Sequence, residues 1–249
     1  MLQNERHDRI LAKLRIHNTV KVAALAQELG ISESTIRRDI NELDNAGKLK
    51  KVFGGAVAVN GDITYGETDV SHRTMINVEE KTIIAKYAAS MIQDNDFVYI
   101  DAGTTTEKMI DYLDKKNVTY VTNGITHAKK LVSKGFNAHI VGGLLRPSTE
   151  AIIGTEAIEA VQRYNFTKCF MGTNGMDIDK GFTTPDIGEA AIKTAVMKRT
   201  YMSFVLADHN KFGLISAVTF AELDEACIIT DKLDNDSYSR YTVIKEVTE

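Results

Sequence analysis

The chain has 249 residues, a formal net charge of −4, 43% hydrophobic and 26% charged residues. This length predicts one large domain or two unequal ones, and the composition is typical of a chain that buries a full core. We find no apolar run near the roughly 20 residues that cross a bilayer and no signal-peptide pattern, so we expect a cytoplasmic protein without a membrane partner. Cys169 and Cys227 lie far from each other and from any His cluster, so we expect no metal site and no disulfide scaffold.

Charge is distributed unevenly along the sequence. Residues 1–59 contain ten Lys or Arg and seven Asp or Glu, whereas the remaining residues contain twenty and twenty-seven. An asymmetry of this kind favours contact between the basic segment and a polyanion, although a chance distribution gives the same numbers.

The first 60 residues predict three short helices and a hairpin. Apolar residues recur at helical spacing in two segments, Ile10, Leu11 and Leu14, then Val22, Leu25, Ala26 and Leu29. Gly30 is placed to end the second helix, and the Ser32 hydroxyl to cap the third. Gly47 ends that helix, and the segment 48–59 carries Gly54-Gly55, which suits a tight two-stranded turn. Three helices with such a turn between the last two have the outline of a helix-turn-helix, and the hairpin is placed as its wing.

The third predicted helix has one apolar face and one polar face. Ile36, Ile40 and Leu43 face the small core. The opposite face carries groups that can hydrogen-bond phosphates or base edges, those of Ser34, Arg37, Arg38 and Asn41. The alternative is a solvated face whose arginines pair with the flanking carboxylates of Glu33, Asp39 and Glu42. The basic hairpin favours DNA, because its lysines are placed to reach the phosphate backbone.

From about residue 79, helical stretches alternate with short apolar runs. Helices are expected over 79–92, 104–114, 124–134 and 186–199, and strands over Phe97–Ile100, Val118–Thr122, Ala138–Val141, Thr167–Met171, Ser203–Ala207 and Cys227–Thr230. This alternation predicts an α/β fold with a mainly parallel sheet. The expected domains are therefore a winged helix-turn-helix at 1–59, a linker at 60–78 and a larger α/β domain at 79–249.

Polar turns follow several of the predicted strands. Asp101 and Gly103 precede three threonines that open a helix, Thr104, Thr105 and Thr106, and a helix N-terminus can bind a phosphate. Comparable groups follow other strands, namely Asn123, Gly142, Gly143, Arg146, Asp208 and Lys211. Ligands bind outside the carboxyl ends of parallel strands, so these turns predict one shared crevice. Neither Gly-x-Gly-x-x-Gly nor a Walker pattern occurs, and no dinucleotide, ATP or other cofactor is expected.

Residues 34–56, STIRRDINELDNAGKLKKVFGGA, resemble the signature of the DeoR/GlpR family of bacterial transcription regulators. The shared pattern is Thr-(Ile/Val)-Arg-Arg-Asp-(Leu/Ile), then Leu, a Gly turn and a hairpin that ends in Gly-Gly-Ala. Together with the polar face, the resemblance implies contacts with operator DNA from Ser32, Ser34, Thr35, Arg37, Arg38, Asn41, Lys48, Lys50, Lys51, Gly54 and Gly55.

The resemblance extends through EKTIIAKYAASMIQDNDFVYIDAGTTT, VTNGITHAKKL, VGGLLRPSTEAIIG and ADHNKFG. These segments are similar to the sensor domain of the family, which shares a fold with sugar-phosphate isomerases. The resemblance implies a phosphorylated sugar as ligand, and the family's pocket motifs fall on Asp101, Gly103, Thr104, Thr105, Asn123, Gly142, Gly143, Arg146, Lys193, Asp208 and Lys211. Arg146 and Lys211 could neutralise the phosphate.

Two points in this half have alternatives. Glu189 and Lys193 lie four residues apart on one helix and could simply pair with each other. GFTTPDIGEAAIK, residues 181–193, resembles the family members that regulate hexose-phosphate uptake, particularly fructose operons, which would make the ligand a fructose phosphate.

The resemblance implies a repressor whose operator affinity changes when the sugar phosphate binds. Helix-turn-helix readers usually bind repeated half-sites, so we expect a homo-oligomer, a dimer or a tetramer. An isomerase-like enzyme with a fused N-terminal domain is the alternative, because Asp101, Asp208 and Lys211 are capable of acid–base chemistry, but we assign no catalytic residue. A protein–protein adaptor would leave the Arg37 and Arg38 face without a role.

Overall fold

The computed structural model describes residues 3–17, 19–57 and 70–248. The chain divides into two compact units, Met1–Asp62 and Ile63–Glu249, called here the N-terminal and the C-terminal unit. Within the described ranges, we find no helix with the length and apolar content that a membrane span requires.

The N-terminal unit contains three helices and a small antiparallel sheet. Its elements are α1 (Gln3–His17), β1 (Thr19–Lys21), α2 (Val22–Leu29), α3 (Glu33–Asn45), β2 (Lys50–Val52) and β3 (Gly55–Val57). The sheet order is β1-β3-β2. The three helices and the hairpin agree with the sequence prediction, and β1 is an additional strand that the sequence did not indicate. Ala58 and Val59 of the predicted hairpin lie outside the described residues.

Local signals in the sequence account for the way these helices end and pack. Gly30 adopts φ 65°, the left-handed conformation that ends α2. The Ser32 hydroxyl accepts a hydrogen bond from the Thr35 N–H and so caps α3. Apolar side chains of all three helices and of the hairpin form the core, with Ile10, Leu14, Leu25, Ile36, Ile40, Leu43, Leu49 and Ala56 at 2% exposure or less.

Asp39 corrects one expectation, because it does not lie among the exposed arginines. Its side chain is fully buried, and the Arg6 guanidinium of α1 donates to both carboxylate oxygens over 2.7 and 2.8 Å. Burial opposes ionisation of Asp39, but the hydrogen bonds and charge of Arg6 outweigh it and hold the carboxyl pKa below its usual value. This ion pair joins α1 to α3. The sequence did not predict this burial, because a helical wheel of α3 places Asp39 at the margin of the core face and contains no information about α1, the helix that covers it.

The C-terminal unit alternates strands and helices. Its strands are β4 (Phe97–Ile100), β5 (Thr119–Thr122), β6 (Asn137–Ile140), β7 (Leu144–Leu145), β8 (Ile152–Ile153), β9 (Phe166–Gly172), β10 (Gly175–Asp177), β11 (Gly181–Thr184), β12 (Thr200–Leu206), β13 (Val218–Ala221), β14 (Cys227–Thr230) and β15 (Ile244–Glu246). Its α-helices are α4 (Val70–Met75), α5 (Val78–Ser90), α6 (Thr104–Met109), α7 (Ile125–Ser133), α8 (Thr155–Gln162) and α9 (Ile187–Met197).

Seven parallel strands form the main sheet, in the order β15-β14-β12-β9-β4-β5-β6. The chain runs outward from β4 through β5 to β6, then returns to the other side of β4 and runs outward through β9, β12, β14 and β15. The strand order therefore reverses between β4 and β9, and in open α/β sheets ligands bind at such a switch point.

Apolar side chains cover both faces of this sheet. Val98 and Ile100 of β4 pack in a core with α5 and α7, whereas Tyr99 between them packs in a second core with α8 and α9. Successive side chains of a strand point to opposite faces, so a nearly continuous apolar run is what two buried faces require. The predicted α/β class is confirmed, and each of the six predicted strands forms.

Eight α-helices and strands of the C-terminal unit fall where the sequence indicated none, namely α4, α8, β7, β8, β10, β11, β13 and β15. Of these, α4 and β15 are the first and the last in the chain. Helix α4 lies within 60–78, the range that the sequence assigned to a linker. Strand β15 lies in the tail beyond Asp231 and pairs with β14 at the edge of the sheet. Both are short, and short elements formed by docking against existing structure carry little periodic signal of their own.

Candidate DNA interface and ligand pocket

The polar face of α3 is open to solvent. Ser34, Arg37, Arg38 and Asn41 are all exposed, and we call these four residues the recognition face. The Arg37 and Arg38 side chains are 57% and 69% exposed. Each has a carboxylate one helical turn away, Glu33 at 3.0 Å from Arg37 and Glu42 at 4.0 Å from Arg38. Exposed pairs of this type contribute only about 0.3–0.5 kcal/mol, so both guanidinium groups can exchange these partners for DNA at little cost.

The β2–β3 hairpin forms a wing beside α3. Lys48, Lys50 and Lys51, which lie on and just before it, are exposed. A groove lies between the wing and α3, and its lining includes Arg37, Asn41, Lys51, Phe53 and Gly54. A duplex placed against α3 would therefore meet hydrogen-bonding groups from the helix and positive charge from the wing, which is the combination that reads bases and holds phosphates.

The remaining residues expected to contact DNA differ in position. Ser32 is exposed at the start of α3, and the half-buried Thr35 places its hydroxyl 2.9 Å from that of Ser32. Gly54 adopts φ 79° at the exposed tip of the wing. Gly55 is buried, and a Cβ atom there would lie 2.0 Å from the Val20 carbonyl oxygen. The structure therefore gives Gly55 a packing role, because only glycine lets β1 approach β3 at this point.

One histidine–carboxylate group in the N-terminal unit has the spacing of metal ligands. Ligand atoms of His7, Asp39 and Glu42 lie within 4.8 Å of one another, and they form the one such group of three among the residues described by the structure. Both oxygens of Asp39 already accept from the Arg6 guanidinium. The guanidinium group of Arg6 already neutralises Asp39 and would repel a metal ion, so these three residues are poorly suited to bind one.

A pocket of about 240 Å³ lies in the C-terminal unit where β4 and β9 part. This volume is at the small end of ligand sites, for which about 300–1,000 Å³ is usual. The pocket contains seven of the residues that the sequence indicated, Asp101, Gly103, Thr104, Thr105, Lys193, Asp208 and Lys211. Some of these residues follow β4 or β12, some begin α6, and Lys193 projects from α9. They lie together because all these segments meet at the carboxyl edge of the sheet.

A buried ion pair lines this pocket. Lys193 of α9 donates to Asp101 at the end of β4 and, over 3.0 Å, to the carbonyl of Gly172. The same carboxylate oxygen of Asp101 accepts from the Gly172 N–H at 3.0 Å. These contacts join β4, β9 and α9 at the switch point. Glu189 instead accepts from the Thr149 hydroxyl at 2.7 Å, so Lys193 has Asp101 as its carboxylate partner.

Seven further polar residues line the pocket, and sequence reasoning did not select them as site residues. Thr173, Asn174 and Glu189 follow β9 or lie on α9, and the other four lie within residues 72–81. His72 and Arg73 come from α4, Asn77 precedes α5, and Lys81 is buried in the first part of α5. Asn77 donates to Asp208 over 3.0 Å. Lys81 shares a buried stripe with Ile84, Ala85 and Ala88, and a lysine inside an apolar helix stripe is a signal that could have revealed it.

The surroundings of Lys81 disfavour its charged form. Burial lowers the pKa of its ammonium group from 10.5 to about 8. The charge of Asp208 opposes this shift, while the positive charges of Lys211 and Arg73 add to it. The Nζ atom donates to the Arg73 carbonyl, and Arg73 in turn has a buried Nε atom without a hydrogen-bond partner among the described residues. This part of the pocket is therefore suited to a negatively charged group.

Five residues expected in the pocket do not line it. Thr106 is fully buried, and its hydroxyl lies 2.6 Å from the Asp101 carbonyl oxygen. Asn123 is also buried and accepts from the Ala102 N–H at 3.0 Å, so both residues support the loop that follows β4. Gly142 and Gly143 follow β6 at the far edge of the sheet, and a Cβ atom on Gly143 would lie 2.5 Å from a backbone oxygen.

Arg146 is the fifth of these residues. Its guanidinium group forms an ion pair with Asp186, the residue that caps α9, and lies 3.9 Å from Glu189. Glu189 lines the pocket and Arg146 does not, so this carboxylate lies between the guanidinium group and the pocket.

His127 lies just behind the pocket and carries no charge. Its ring is fully buried, with Nε2 3.0 Å from the Gly103 carbonyl oxygen. Burial lowers the imidazole pKa from 6.5 to about 4, so the ring stays neutral at physiological pH. The ring holds the turn that carries Gly103 and Thr104.

A winged helix-turn-helix with an exposed cationic face, followed by an α/β unit with a polar pocket at its switch point, defines a DNA-binding regulator. Comparison with known proteins identifies the family. Residues 6–61 match the DeoR-like helix-turn-helix domain, and residues 76–232 match the DeoR C terminal sensor domain. The chain belongs to the DeoR family.

Similar proteins cover nearly the whole chain. The uncharacterized HTH-type transcriptional regulator FruR of Bacillus subtilis (strain 168) is 42% identical over 99% of both chains. The HTH-type transcriptional regulator IolR of the same strain is 36% identical over 90% of both. The lactose phosphotransferase system repressor of Staphylococcus aureus (strain NCTC 8325 / PS 47) is 30% identical over the full length of both.

Similarity to solved structures is weaker. Ribose 5-phosphate isomerase from Plasmodium falciparum aligns with 16% identity and a TM-score of 0.40, over 53% of this chain and 52% of that chain.

Proposed function

We propose that this protein represses transcription of a carbohydrate-metabolism operon, and that a phosphorylated sugar in the C-terminal pocket controls its affinity for the operator. Membership of the DeoR family supports the regulatory role. The observation that carries the proposed ligand is the cationic part of the pocket, where the buried Lys81 lies near two further cations, Arg73 and Lys211, and near one carboxylate, that of Asp208.

A phosphate group would correct this imbalance. Burial of Lys81 makes its charged form unfavourable, and the neighbouring cations make it more so. A dianionic phosphate next to Lys81 and Arg73 would accept charge-assisted hydrogen bonds from both, which are about twice as strong as neutral ones. Thr104 and Thr105 line the same pocket, and their hydroxyls would be further donors to the phosphate.

The pocket also contains groups that are suited to a sugar. Asp208 is 1% exposed and accepts from Asn77, and a carboxylate that lines a small pocket can also accept from a sugar hydroxyl. Asn174 and Glu189 add further groups that can hydrogen-bond hydroxyls. The resemblance of residues 181–193 to regulators of fructose operons leads us to propose a fructose phosphate as the ligand.

Binding in this pocket can act on the DNA-binding unit through α4. This helix is the first described element after residues 58–69, which connect the two units along the chain. His72 and Arg73 of α4 line the pocket, so a ligand that orders Arg73 also biases this helix. To regulate, the ligand must bind one arrangement of the chain more tightly than another, and a coupling of about 1–3 kcal/mol would change operator affinity by roughly 5- to 150-fold.

We further propose that the protein acts as a homo-oligomer on double-stranded operator DNA, in the cytoplasm. The recognition face and the wing would supply the contacts, with Ser32, Ser34 and Asn41 as polar partners of the arginines. The isomerase alternative has less support, because the relatives described above are regulators.

A ligand screen tests the proposal. Fructose 1-phosphate, fructose 6-phosphate, other sugar phosphates, free fructose and inorganic phosphate are added to the full-length protein, and thermal unfolding is followed. We expect a fructose phosphate to raise the midpoint more than fructose or phosphate alone, because only the whole ligand contacts all the polar groups of the pocket. A ligand at 100 times its Kd stabilises the folded protein by about 2.7 kcal/mol.

Two matched variants locate the site. Lys81→Met should abolish the ligand-induced shift without lowering the midpoint of the ligand-free protein, since the mutation removes a buried charge. Lys86→Met, on the exposed side of the same helix, should leave the shift intact. No shift with any phosphorylated sugar would refute the proposed ligand. Sustained turnover of a sugar phosphate, followed by NMR, would instead support the enzyme.

A further inference from the structure

Phe53, at the tip of the wing, is the most exposed large apolar side chain among the described residues. Its exposure of 108% exceeds that of Tyr201, the next, at 87%. It occupies the turn between β2 and β3, before Gly54. Val52 beside it is also 42% exposed. A phenylalanine in such a position presents its whole ring to whatever approaches the wing.

The fold of the hairpin does not require this ring. Gly54 provides the left-handed turn at φ 79°, and Gly55 provides the close approach to β1. Ala56 and Leu49 anchor the hairpin in the core of the N-terminal unit, and Phe53 does not belong to that core. A polar residue would satisfy the same turn, so the aromatic ring calls for an explanation outside the unit itself.

The surroundings of Phe53 indicate the partner. Exposed Lys48, Lys50 and Lys51 lie on or next to the same hairpin, and Arg37 faces it across the groove. An apolar protein surface would be a poor match for four cations around one ring. A nucleic acid fits both features, because it offers phosphates to the cations and the faces of its bases to the ring.

We propose that Phe53 inserts between base pairs of the operator, in the minor groove that flanks the major groove occupied by α3. Apolar wedges of this kind partly unstack a base step and kink the duplex. The inference rests on the proposed DNA-binding function and adds a residue that bends the operator.

Insertion would also add sequence preference without hydrogen bonds to bases. Pyrimidine–purine steps unstack most readily, so an operator with such a step under the wing would be deformed at the least cost. Phe53 would then contribute to specificity at a position that the recognition face does not touch.

The test uses a duplex selected by the wild-type full-length protein from a random-sequence pool. Its bend is measured by circular-permutation electrophoresis, and 2-aminopurine is placed at successive steps to report unstacking. We expect the wild-type protein to bend the duplex and to raise 2-aminopurine fluorescence at one step under each wing. Phe53→Ala should abolish both signals and weaken binding about 10- to 100-fold, within the range that base–aromatic contacts contribute.

Further variants separate the wedge from other roles of the ring. Phe53→Leu keeps an apolar wedge and should retain most of the bend, and Tyr201→Ala, which removes an exposed aromatic ring from the C-terminal unit, should change nothing. Phe53→Ala with unchanged affinity and bend would overturn the inference. So would a change in oligomer mass or melting midpoint that accounts for the lost affinity, because the ring would then cover protein. A wild-type protein that selects no sequence would overturn the proposed function itself.

Discussion

The two charged regions of this molecule handle charge in opposite ways. On the recognition face, Arg37 and Arg38 are more than half exposed, and each pairs with a neighbouring carboxylate of α3. In the C-terminal pocket, Lys81 and Lys193 are 5% and 6% exposed, and one has a lowered pKa while the other is paired with a buried aspartate. The first region keeps its charges hydrated until a partner arrives, and the second has already lost that hydration.

This difference corresponds to the partners that we propose. A duplex carries many phosphates, so affinity accumulates from many weak, screened contacts on an exposed surface. A small phosphorylated ligand carries one phosphate, and a few desolvated charges must bind it. Charges in the pocket should therefore affect folding stability as well as binding, whereas charges on the recognition face should affect binding alone.

The largest expected effect is a loss of folding stability when either of two buried ion pairs is broken. The two pairs lie at opposite ends of β4, and only one of them lines the pocket. Lys193–Asp101 lies after β4, at the pocket, and Lys168–Asp96 lies before it, with 2.5 Å between its charged atoms. Lys193→Met or Lys168→Met leaves a buried carboxylate without its partner, and each should destabilise the protein by about 3–5 kcal/mol in urea unfolding. Only Lys193→Met should abolish the sugar-phosphate shift. Loss of the shift in both would mean that it reports stability and not the site.

The recognition face should show the reverse behaviour. Arg38→Ala should weaken binding to a selected operator duplex by about 1–3 kcal/mol if its guanidinium reads a base, with the melting midpoint unchanged. The control is Arg9→Ala on α1, which removes another exposed arginine paired with a carboxylate one turn away, Glu5 at 3.3 Å. Quantitative mobility shifts give both affinities. A large fall in midpoint for Arg38→Ala would make this residue structural.

The pH dependence of ligand binding should reveal Lys81. Because its pKa is about 8 in the folded protein, below its ordinary 10.5, Lys81 loses its proton at lower pH when folded than when unfolded. Ligand-free stability should therefore receive a contribution that rises from about pH 8 to pH 10.5. A bound phosphate favours the protonated form, so affinity should be level from pH 7 to 8 and then fall by up to about tenfold per pH unit. Calorimetric titration over this pH range measures the fall, and Lys86→Met, on the exposed side of α5, should retain it.

The smallest expected effect concerns the wing. Lys50→Ala should lower affinity for selected and random duplexes alike and reduce the slope of log affinity against log salt by about one unit. Filter binding over a range of salt concentrations measures this slope. An unchanged slope would remove Lys50 from the phosphate contacts, and a loss confined to the selected duplex would indicate base reading instead.

Much of the fold could be predicted because its signals are local. Gly30 and Ser32 mark the turn between α2 and α3 by their own chemistry, and apolar runs such as Phe97–Ile100 mark strands that are buried on both faces. Strand β1 could not be predicted, because three residues without a turn signal become a strand only when β3 is already beside them. The same reason applies to β15.

The candidate site was predicted in part for a related reason. Asp101 and Asp208 follow strands, and the general position of ligands in parallel sheets led to them. Asn123 and Arg146 have the same sequence character, yet their side chains hold neighbouring loops instead of lining the pocket. Arg73 lies in a stretch that the sequence indicates as a linker, and only the folded chain brings it to the pocket.

The sequence by itself determined the classes of element, the family and the polar face of α3, because helix caps, apolar periodicity and a contiguous motif depend on residues close together in the chain. Tertiary structure alone decided which polar residues share the pocket and which arginine holds Asp39. Burial and ion pairing depend on distances between residues far apart in sequence, such as the 33 positions between Arg6 and Asp39 or the 92 between Asp101 and Lys193. Only the order of the strands and the packing of the helices set those distances.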